Sequence, residues 1–264
     1  MTVAVWVADR VKRWLYHVQS FAQFVLHVLW CATTPPIYVK DSLYYMYTLG
    51  IGSLPVILLT GLFTGMVLSL QSGYTLAQFG GKYYLARIVS LSMVRELGPV
   101  LTALMLAGRV GAGIASELGA MVVTEQVSAL RAMGIDPVRK LVVPRWLALL
   151  GMAPTLTVLS AWVGLWGGAM VADIKYQVRP SYYWATASWV LFTDDVVLGF
   201  LKPFLFGTLI AWIGCYQGLV TEGGSQGVGR STTSTVVVTS IAILVSDYFF
   251  NEVFITIIMM TGHF

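Results

Sequence analysis

The residues with the clearest chemical potential lie together in one mostly apolar segment, residues 91–108, which is long enough to cross a bilayer with its flanks. Near its middle are Arg95, Glu96 and Pro99. A charged side chain at the bilayer centre costs roughly 3 kcal/mol on insertion scales, so it has to pair or to face water or protein. Pro99 lacks an N–H and clashes with the carbonyl group of Arg95, four residues earlier, so we expect the helix to bend beside the charges.

Two interpretations of these charges are open. Ionisable residues inside a membrane are functional by default, which favours a polar site on a substrate path. The alternative is a structural polar contact between helices. Arg95 and Glu96 are neighbours in sequence and point to different sides of a helix, so each needs another partner. Lys202, early in a later apolar segment, either reaches outward to the membrane surface or faces a cavity that also contains Glu96.

The composition indicates an integral membrane protein. Of the 264 residues, 57% are hydrophobic and only 11% are charged, against about 25% charged in a soluble domain. The net charge of +4 fits cytoplasmic Lys and Arg beside anionic lipid headgroups better than it fits nucleic acid. Cys31 and Cys215 are far apart, which predicts no disulfide framework, and the three histidines show no metal-ligand spacing.

Apolar segments predict a single all-α permease domain with five transmembrane spans, at residues 43–72, 87–110, 141–172, 196–220 and 235–260. Before them, residues 3–30 repeat apolar side chains every three to four positions beside tryptophans and basic residues. This pattern predicts an interfacial helix, with a first spanning helix as the alternative. Lys and Arg are concentrated before the first span and around residues 109–145, so we expect a cytoplasmic N-terminus. The aromatic residues of the 173–195 connection, including Tyr183, are expected at the outer interface.

Residues 116–134 have a different character, because they read as an amphipathic helix of about four or five turns that is too polar to span. Arg131 and Gly134 suit its end, and Asp136-Pro137 stops it. It is either an ordinary loop helix or, as its length and definition favour, a coupling helix that docks into a cytoplasmic partner. The residues assigned to coupling are Glu117, Met121, Glu125, Leu130 and Arg131.

A polar group in the last span supports an alternative function. Asp247, Asn251 and Glu252 are spaced so that they lie near one another on a helix surface. Asp247 and Glu252, together with Glu96, could relay protons in an ion-coupled secondary transporter of an amphipathic substrate. Such transporters commonly contain an internal repeat, and none is evident in this sequence. A nucleophile elbow, a metal cluster and a phosphate-binding loop are not evident either, so no catalytic site is predicted.

Several motifs resemble the MlaE/YrbE permease family, the membrane subunits of MCE-associated ABC transporters. They are RELGP from Arg95, AGRVG from Ala107, SELGAM from Ser116, MGIDP from Met133 and VPR from Val143. The resemblance extends over nearly the whole chain and is strongest to the Gram-negative phospholipid-transport branch.

This resemblance implies a homodimer in the bacterial inner membrane, with an interfacial helix and about five spans in each subunit. A separate MlaF-like ATPase, which binds ATP and Mg, would dock at residues 116–134 and carry a small MlaB-like STAS subunit. An MlaD-like MCE hexamer would sit on the periplasmic side, and no nucleic acid is expected. Phospholipid would bind between the two permease subunits and move between the inner and outer membranes, which maintains the lipid asymmetry of the outer membrane. The chain itself would bind no cofactor.

The resemblance also assigns residues to the lipid cavity. The polar pair of the 91–108 segment and a basic residue of a later span would lie near it, and the end of the first span would line it. The residues are Leu68, Gln71, Thr75, Phe79, Arg95, Glu96 and Lys202.

Overall fold

The computed structural model describes residues 2–36 and 38–261, and this part of the chain contains helices and no strands. The α-helices are α1 (Thr2–Thr33), α2 (Val39–Gln78), α3 (Leu85–Ser92), α4 (Gly98–Leu106), α5 (Ala112–Val123), α6 (Gln126–Ala132), α7 (Val143–Tyr176), α8 (Pro180–Val190), α9 (Thr193–Leu219) and α10 (Gly224–Thr261). A short 3₁₀ turn precedes α3. Single π-helical turns join α3 to α4 and α4 to α5, and a third precedes α7; they span Met93–Leu97, Ala107–Gly111 and Val138–Val142.

Five long apolar stretches can cross a membrane, which confirms the predicted all-α fold with five spans. They are Val39–Gln78, Lys82–Val123, Val138–Tyr176, Asp194–Leu219 and Gly224–Phe254. Each is longer than the predicted apolar core, because a helix continues through the headgroup region until a turn ends it. Among the described residues, Val18–Thr33 of α1 is a shorter apolar segment.

The helix predicted over residues 116–134 is divided in two. Residues 112–123 form α5, which continues the charged span and packs against α9 and α10, with Leu118 fully buried. The helix breaks at Thr124 and Glu125, where Glu125 has a left-handed backbone at φ 59°. The β-branched run Val122-Val123-Thr124 has low helix propensity, and α6 starts only beyond it. Gly134, at φ 74°, follows the end of α6, as the prediction requires.

The 173–195 connection contains one aromatic side chain, Tyr183, that does not face outward from the protein. It lies on α8, is fully buried, and belongs to a small apolar core formed with residues of α3 and α7. Its neighbours Tyr182 and Trp189 are exposed, as expected for an interfacial segment. The sequence contained the aromatic residues but did not reveal that residues 180–190 form a helix with an inward side.

The C-terminal half of α1 is fixed to the end of the bundle that is predicted to be cytoplasmic. Its Phe21 and Phe24 rings contact Tyr216 of α9 at centroid distances of 5.3 and 5.6 Å. Further along, His27 and Cys31 form hydrogen bonds with the Asp136 carboxylate, beyond α6. Partial burial by itself raises the pKa of Asp136, but these hydrogen bonds and one from the backbone outweigh it and hold the pKa below its ordinary value.

Helices α2 and α7 pack closely through glycines. A Cβ on Gly65 would overlap the backbone of Gly164, and a Cβ on Gly61 would meet Ser160 in the same way. The Gly61 and Gly65 pair is thus used inside one chain, where the absence of side chains lets two backbones approach.

We predict that Gly65→Ala lowers the free energy of unfolding by about 1–3 kcal/mol, the usual range for overpacking, because backbone atoms of α7 cannot move aside cheaply. Gly113→Ala is the matched control, since its Cβ would meet nothing within 4 Å. Thermal unfolding in detergent, followed by tryptophan fluorescence, would check this. Equal stability of the two variants would contradict a tight α2–α7 contact.

Candidate functional site

The bend expected beside Pro99 is a π-helical turn over Met93–Leu97, in the middle of the charged span. Because Pro99 has no N–H, it cannot donate the ordinary helical hydrogen bond to the Arg95 carbonyl oxygen. That oxygen accepts a hydrogen bond of 3.0 Å from Lys202 Nζ of α9. A helix defect inside a membrane requires such a substitute donor, and here the donor is a buried cation.

Lys202 is completely buried and lies at the centre of a charged cluster. Its Nζ is 2.8 Å from Glu96 Oε2 and 2.9 Å from Asp247 Oδ1 of α10. The Asn251 amide donates to the same Glu96 oxygen at 3.2 Å and to Asp247 at 3.4 Å. Lys202 therefore faces Glu96 and does not reach outward, and a cavity that contains both residues stays a prediction.

Arg95 has a separate partner, as its position next to Glu96 predicts. Its guanidinium pairs with Asp195, a buried carboxylate in the first turn of α9. The other Asp195 oxygen accepts the backbone N–H of Phe192 at 3.2 Å and so caps α9. Asp195 and Lys202 are seven residues apart, two turns on one side of α9, and bind Arg95 and Glu96 respectively. In one pair the π turn supplies the cation, and in the other α9 supplies it. The two ion pairs together fix the register of α9 against the π turn.

The exposed side of the cluster contains charges of both signs. The Arg95 and Glu96 side chains are 43% and 41% exposed in the single chain, whereas Asp247 is 16% exposed. Two cations and three carboxylates are present, so the formal charge of the five groups is −1 if all are ionised. Ionised groups that are half-exposed within a span need water, a polar ligand or another polypeptide beside them.

The predicted residues at the end of the first span do not all lie together. Gln71 and Thr75 line an open cavity of about 650 Å³ together with Lys175 and Tyr176. Leu68 packs against the small outer core, and Phe79 is 82% exposed at the turn after α2. The ion-pair residues do not line this cavity in the single chain. A common lipid cavity for all seven residues stays a prediction, since the predicted cavity lies between two copies.

At the end of the bundle that is predicted to be cytoplasmic, a buried arginine joins three elements. The Arg145 guanidinium, at the start of α7, pairs with Glu117 of α5 at 2.7 Å. It donates to the Leu141 carbonyl at 2.6 Å and lies 4.3 Å from the Tyr45 ring of α2. Glu117, predicted to act in coupling, is therefore linked to α7 and α2 through Arg145.

The other predicted coupling residues lie on both sides of the α5–α6 region. Met121 and Leu130 are partly buried and pack against the main core, whereas Glu125 and Arg131 are exposed. Near them Val123, Met133 and Ile135 are 40%, 65% and 36% exposed. The α5–α6 tip, which is predicted to be the cytoplasmic tip, thus presents apolar side chains beside charged ones.

The profile of the family described as Permease MlaE matches residues 42–253 of this chain. The chain belongs to the MlaE permease family. A probable ABC transporter permease protein of Rickettsia felis is 39% identical over 254 residues, which are 96% of this chain and 98% of that protein. The intermembrane phospholipid transport system permease protein MlaE of Haemophilus influenzae is 39% identical over 220 residues, 83% of this chain and 82% of that protein.

More distant members include the protein TRIGALACTOSYLDIACYLGLYCEROL 1, chloroplastic, of Arabidopsis thaliana, which is 35% identical over 218 residues, 83% of this chain and 62% of that protein. MlaE family membership and the five apolar helices identify a multi-pass membrane protein of the permease-subunit class.

Sequence reasoning missed two partners in this site. Asp195 was not predicted as a site residue, although its seven-residue separation from Lys202 is a signal that both lie on one side of α9. Arg145 follows Pro144 at the start of a span and was counted only for membrane orientation. Its burial could not be inferred, because the residues that cover it come from distant segments.

We predict that Lys202→Met lowers the free energy of unfolding by about 3 kcal/mol, because it leaves Glu96 and Asp247 without their cation. Lys40→Met, at an exposed lysine, should leave stability unchanged. Adding Glu96→Gln and Asp247→Asn to Lys202→Met should recover part of the loss. Thermal unfolding in detergent measures all three, and a triple variant no more stable than Lys202→Met would contradict unpaired carboxylates as the cause.

Proposed function

We propose that this chain is the membrane permease subunit of an ABC transporter that moves phospholipids between the inner and outer membranes. Its Haemophilus influenzae relative is named as an intermembrane phospholipid transport system permease protein. The observation that carries the proposal is the half-exposed Glu96 cluster within an apolar span of an MlaE family chain. The protein would lie in the bacterial inner membrane with a cytoplasmic N-terminus and help to maintain outer-membrane lipid asymmetry. The phospholipid would be cargo, and the chain would need no cofactor of its own.

A homodimer is the arrangement that best supports this function. The apolar windows of α2 and α10 are 22% and 17% buried, against 50% for the other three spans. Glu96 and Asn251 lie next to this uncovered side, since Asn251 belongs to α10. Two copies facing each other here would enclose a space with apolar walls for acyl chains and polar groups for a headgroup.

The charges within this space set how a headgroup would bind. Arg95 and Lys202 are already paired with carboxylates, so a lipid phosphate would have to compete with Asp195 or Glu96. We propose that rearrangement of these ion pairs accompanies lipid entry, and that Glu96, released from Lys202, frees a cation for the phosphate. The acyl chains would contact the α2 side chains near Gln71 and Thr75.

Energy would come from a separate MlaF-like ATPase that binds ATP and Mg and docks at the α5–α6 surface. Closure of the ATPase dimer would move α5, and the Glu117–Arg145 pair would transmit the motion to α7 and α2. An MlaB-like STAS subunit on the ATPase and an MlaD-like MCE hexamer on the periplasmic side complete the proposed assembly. An ion-coupled secondary transporter is not favoured, because the relatives are named as ABC transporter permeases.

We predict that Glu96→Ala reduces phospholipid transfer by at least about tenfold, the effect of removing roughly 1.4 kcal/mol of interaction, while the ATPase still binds. Transfer of a labelled phospholipid from proteoliposomes containing the whole complex measures this. Glu252→Ala is the control, because Glu252 is an exposed carboxylate next to Asn251 on α10. Transfer driven by a proton gradient without the ATPase, and lost in Glu252→Ala, would replace this proposal with the ion-coupled one.

We predict that Met133→Glu prevents co-purification of the ATPase, because it places a charge among the exposed apolar residues of the cytoplasmic tip. Ile174→Glu is the matched control: Ile174 is 75% exposed at the opposite end of α7. Affinity purification of the tagged permease with quantification of the ATPase checks both. Equal recovery from the two variants would place the docking surface elsewhere.

A further inference from the structure

Three side chains with metal-binding atoms meet where α1 contacts the segment after α6. His27 Nε2 lies 2.8 Å from Asp136 Oδ2, and Cys31 Sγ lies 3.2 Å from the same oxygen. The three donor atoms are all within 4.8 Å of one another. We propose that His27, Cys31 and Asp136 form a binding site for a zinc-like transition-metal ion, which joins α1 to the segment between α6 and α7.

The spacing of the donors suits this assignment. His27 and Cys31 are one helical turn apart and so lie on the same side of α1. Zinc bonds of about 2.0–2.3 Å in a tetrahedron separate the ligand atoms by roughly 3.3–3.8 Å. The cysteine–aspartate separation is close to that range, and the histidine–aspartate separation is about half an ångström shorter. Small side-chain rotations therefore suffice.

The types of donor select the metal. A thiolate, an imidazole and a carboxylate are the ligands that zinc uses in proteins, whereas calcium and magnesium need sets of oxygen atoms. The Cys31 sulfur and the His27 nitrogen both lie next to the same oxygen, Asp136 Oδ2. The site would therefore discriminate against the hard divalent cations that are abundant in the cytoplasm.

The surroundings supply an outer shell and an open position. Asp136 Oδ1 accepts the backbone N–H of Val138 at 3.0 Å, which orients the carboxylate and leaves Oδ2 toward the other donors. Cys31 is buried, and His27 is 46% exposed, so the site is reached from one side only. A cavity of about 380 Å³ adjoins Asp136 and is lined also by Trp30 and Arg139, which leaves room for a water as fourth ligand.

Metal binding at this site involves no redox step. The Cys31 S–H bond breaks, its proton passes to solvent, and a metal–sulfur bond forms. His27 Nε2 gives up the proton that it donates to Asp136, the ring takes up a proton at Nδ1, and the freed lone pair of Nε2 forms the metal–nitrogen bond. The hydrogen bonds to Asp136 Oδ2 are replaced by one metal–oxygen bond, so the same three residues are joined more rigidly.

A metal ion at this site would fix α1 relative to the α5–α6 region, which moves in the proposed function. Asp136 directly follows the turn that ends α6, and α1 is also held by aromatic contacts to α9 and by Arg139, whose guanidinium lies over the Trp30 ring. A bound ion would therefore limit how far α6 can move away from α1. Metal binding itself does not depend on the lipid-transport proposal.

The purified full-length protein in detergent, stripped of metal and then titrated with zinc, would test the site. We expect one equivalent of zinc per chain, measured by elemental analysis after gel filtration. Replacing zinc with cobalt should give the intense sulfur-to-cobalt charge-transfer absorption of a thiolate ligand. Calcium and magnesium should not compete.

Variants assign the ligands. Cys31→Ser should abolish the charge-transfer absorption, and His27→Gln and Asp136→Asn should each weaken zinc binding by at least about tenfold. Cys215→Ser is the matched control, because Cys215 is the other buried cysteine and belongs to α9. Far-ultraviolet circular dichroism would show that each variant is folded. Substoichiometric zinc uptake by the unmodified protein, or thiolate–cobalt absorption that persists in Cys31→Ser, would overturn the proposal.

Discussion

The organisation of this permease depends on one buried ammonium group. Lys202 donates to a carbonyl oxygen that Pro99 leaves without its helical hydrogen bond, and it pairs with Glu96 and Asp247. One side chain thereby satisfies a backbone defect and holds three spans together. The proline defect and the charges are each unfavourable alone in hydrocarbon. The charged side chain satisfies the defect, and the carboxylates pair with it, only when all the helices are assembled.

Much of this architecture follows from the sequence. Apolar length predicts the five spans, and the rule that adjacent helical residues diverge predicts separate partners for Arg95 and Glu96. The partners Asp195 and Lys202 lie about a hundred residues away in α9, and Asn251 of α10 is 155 residues beyond Glu96. Periodicity along one helix does not carry that information, so Lys202 was left between two interpretations that only packing could decide.

The boundaries between membrane and cytoplasm were harder to predict. Residues 112–123 are polar enough in places to suggest a surface helix, yet Leu118 is buried against α9 and the helix continues the charged span. The break at Glu125 depends on a left-handed backbone that no strong local signal announces. The metal-binding cluster was missed for the same reason, because His27 and Cys31 gain their third donor from Asp136, 105 residues beyond Cys31.

The separation of the ion-pair partners along the chain has a consequence for biogenesis. Lys202 is 106 residues beyond Glu96, which at ordinary synthesis rates of 5–20 residues per second corresponds to roughly 5–20 s. For that interval the charged span exists without its counterions. Its insertion therefore cannot be completed helix by helix: the nascent segment has to be retained by the translocation machinery, or by water at the membrane surface, until the last two helices emerge.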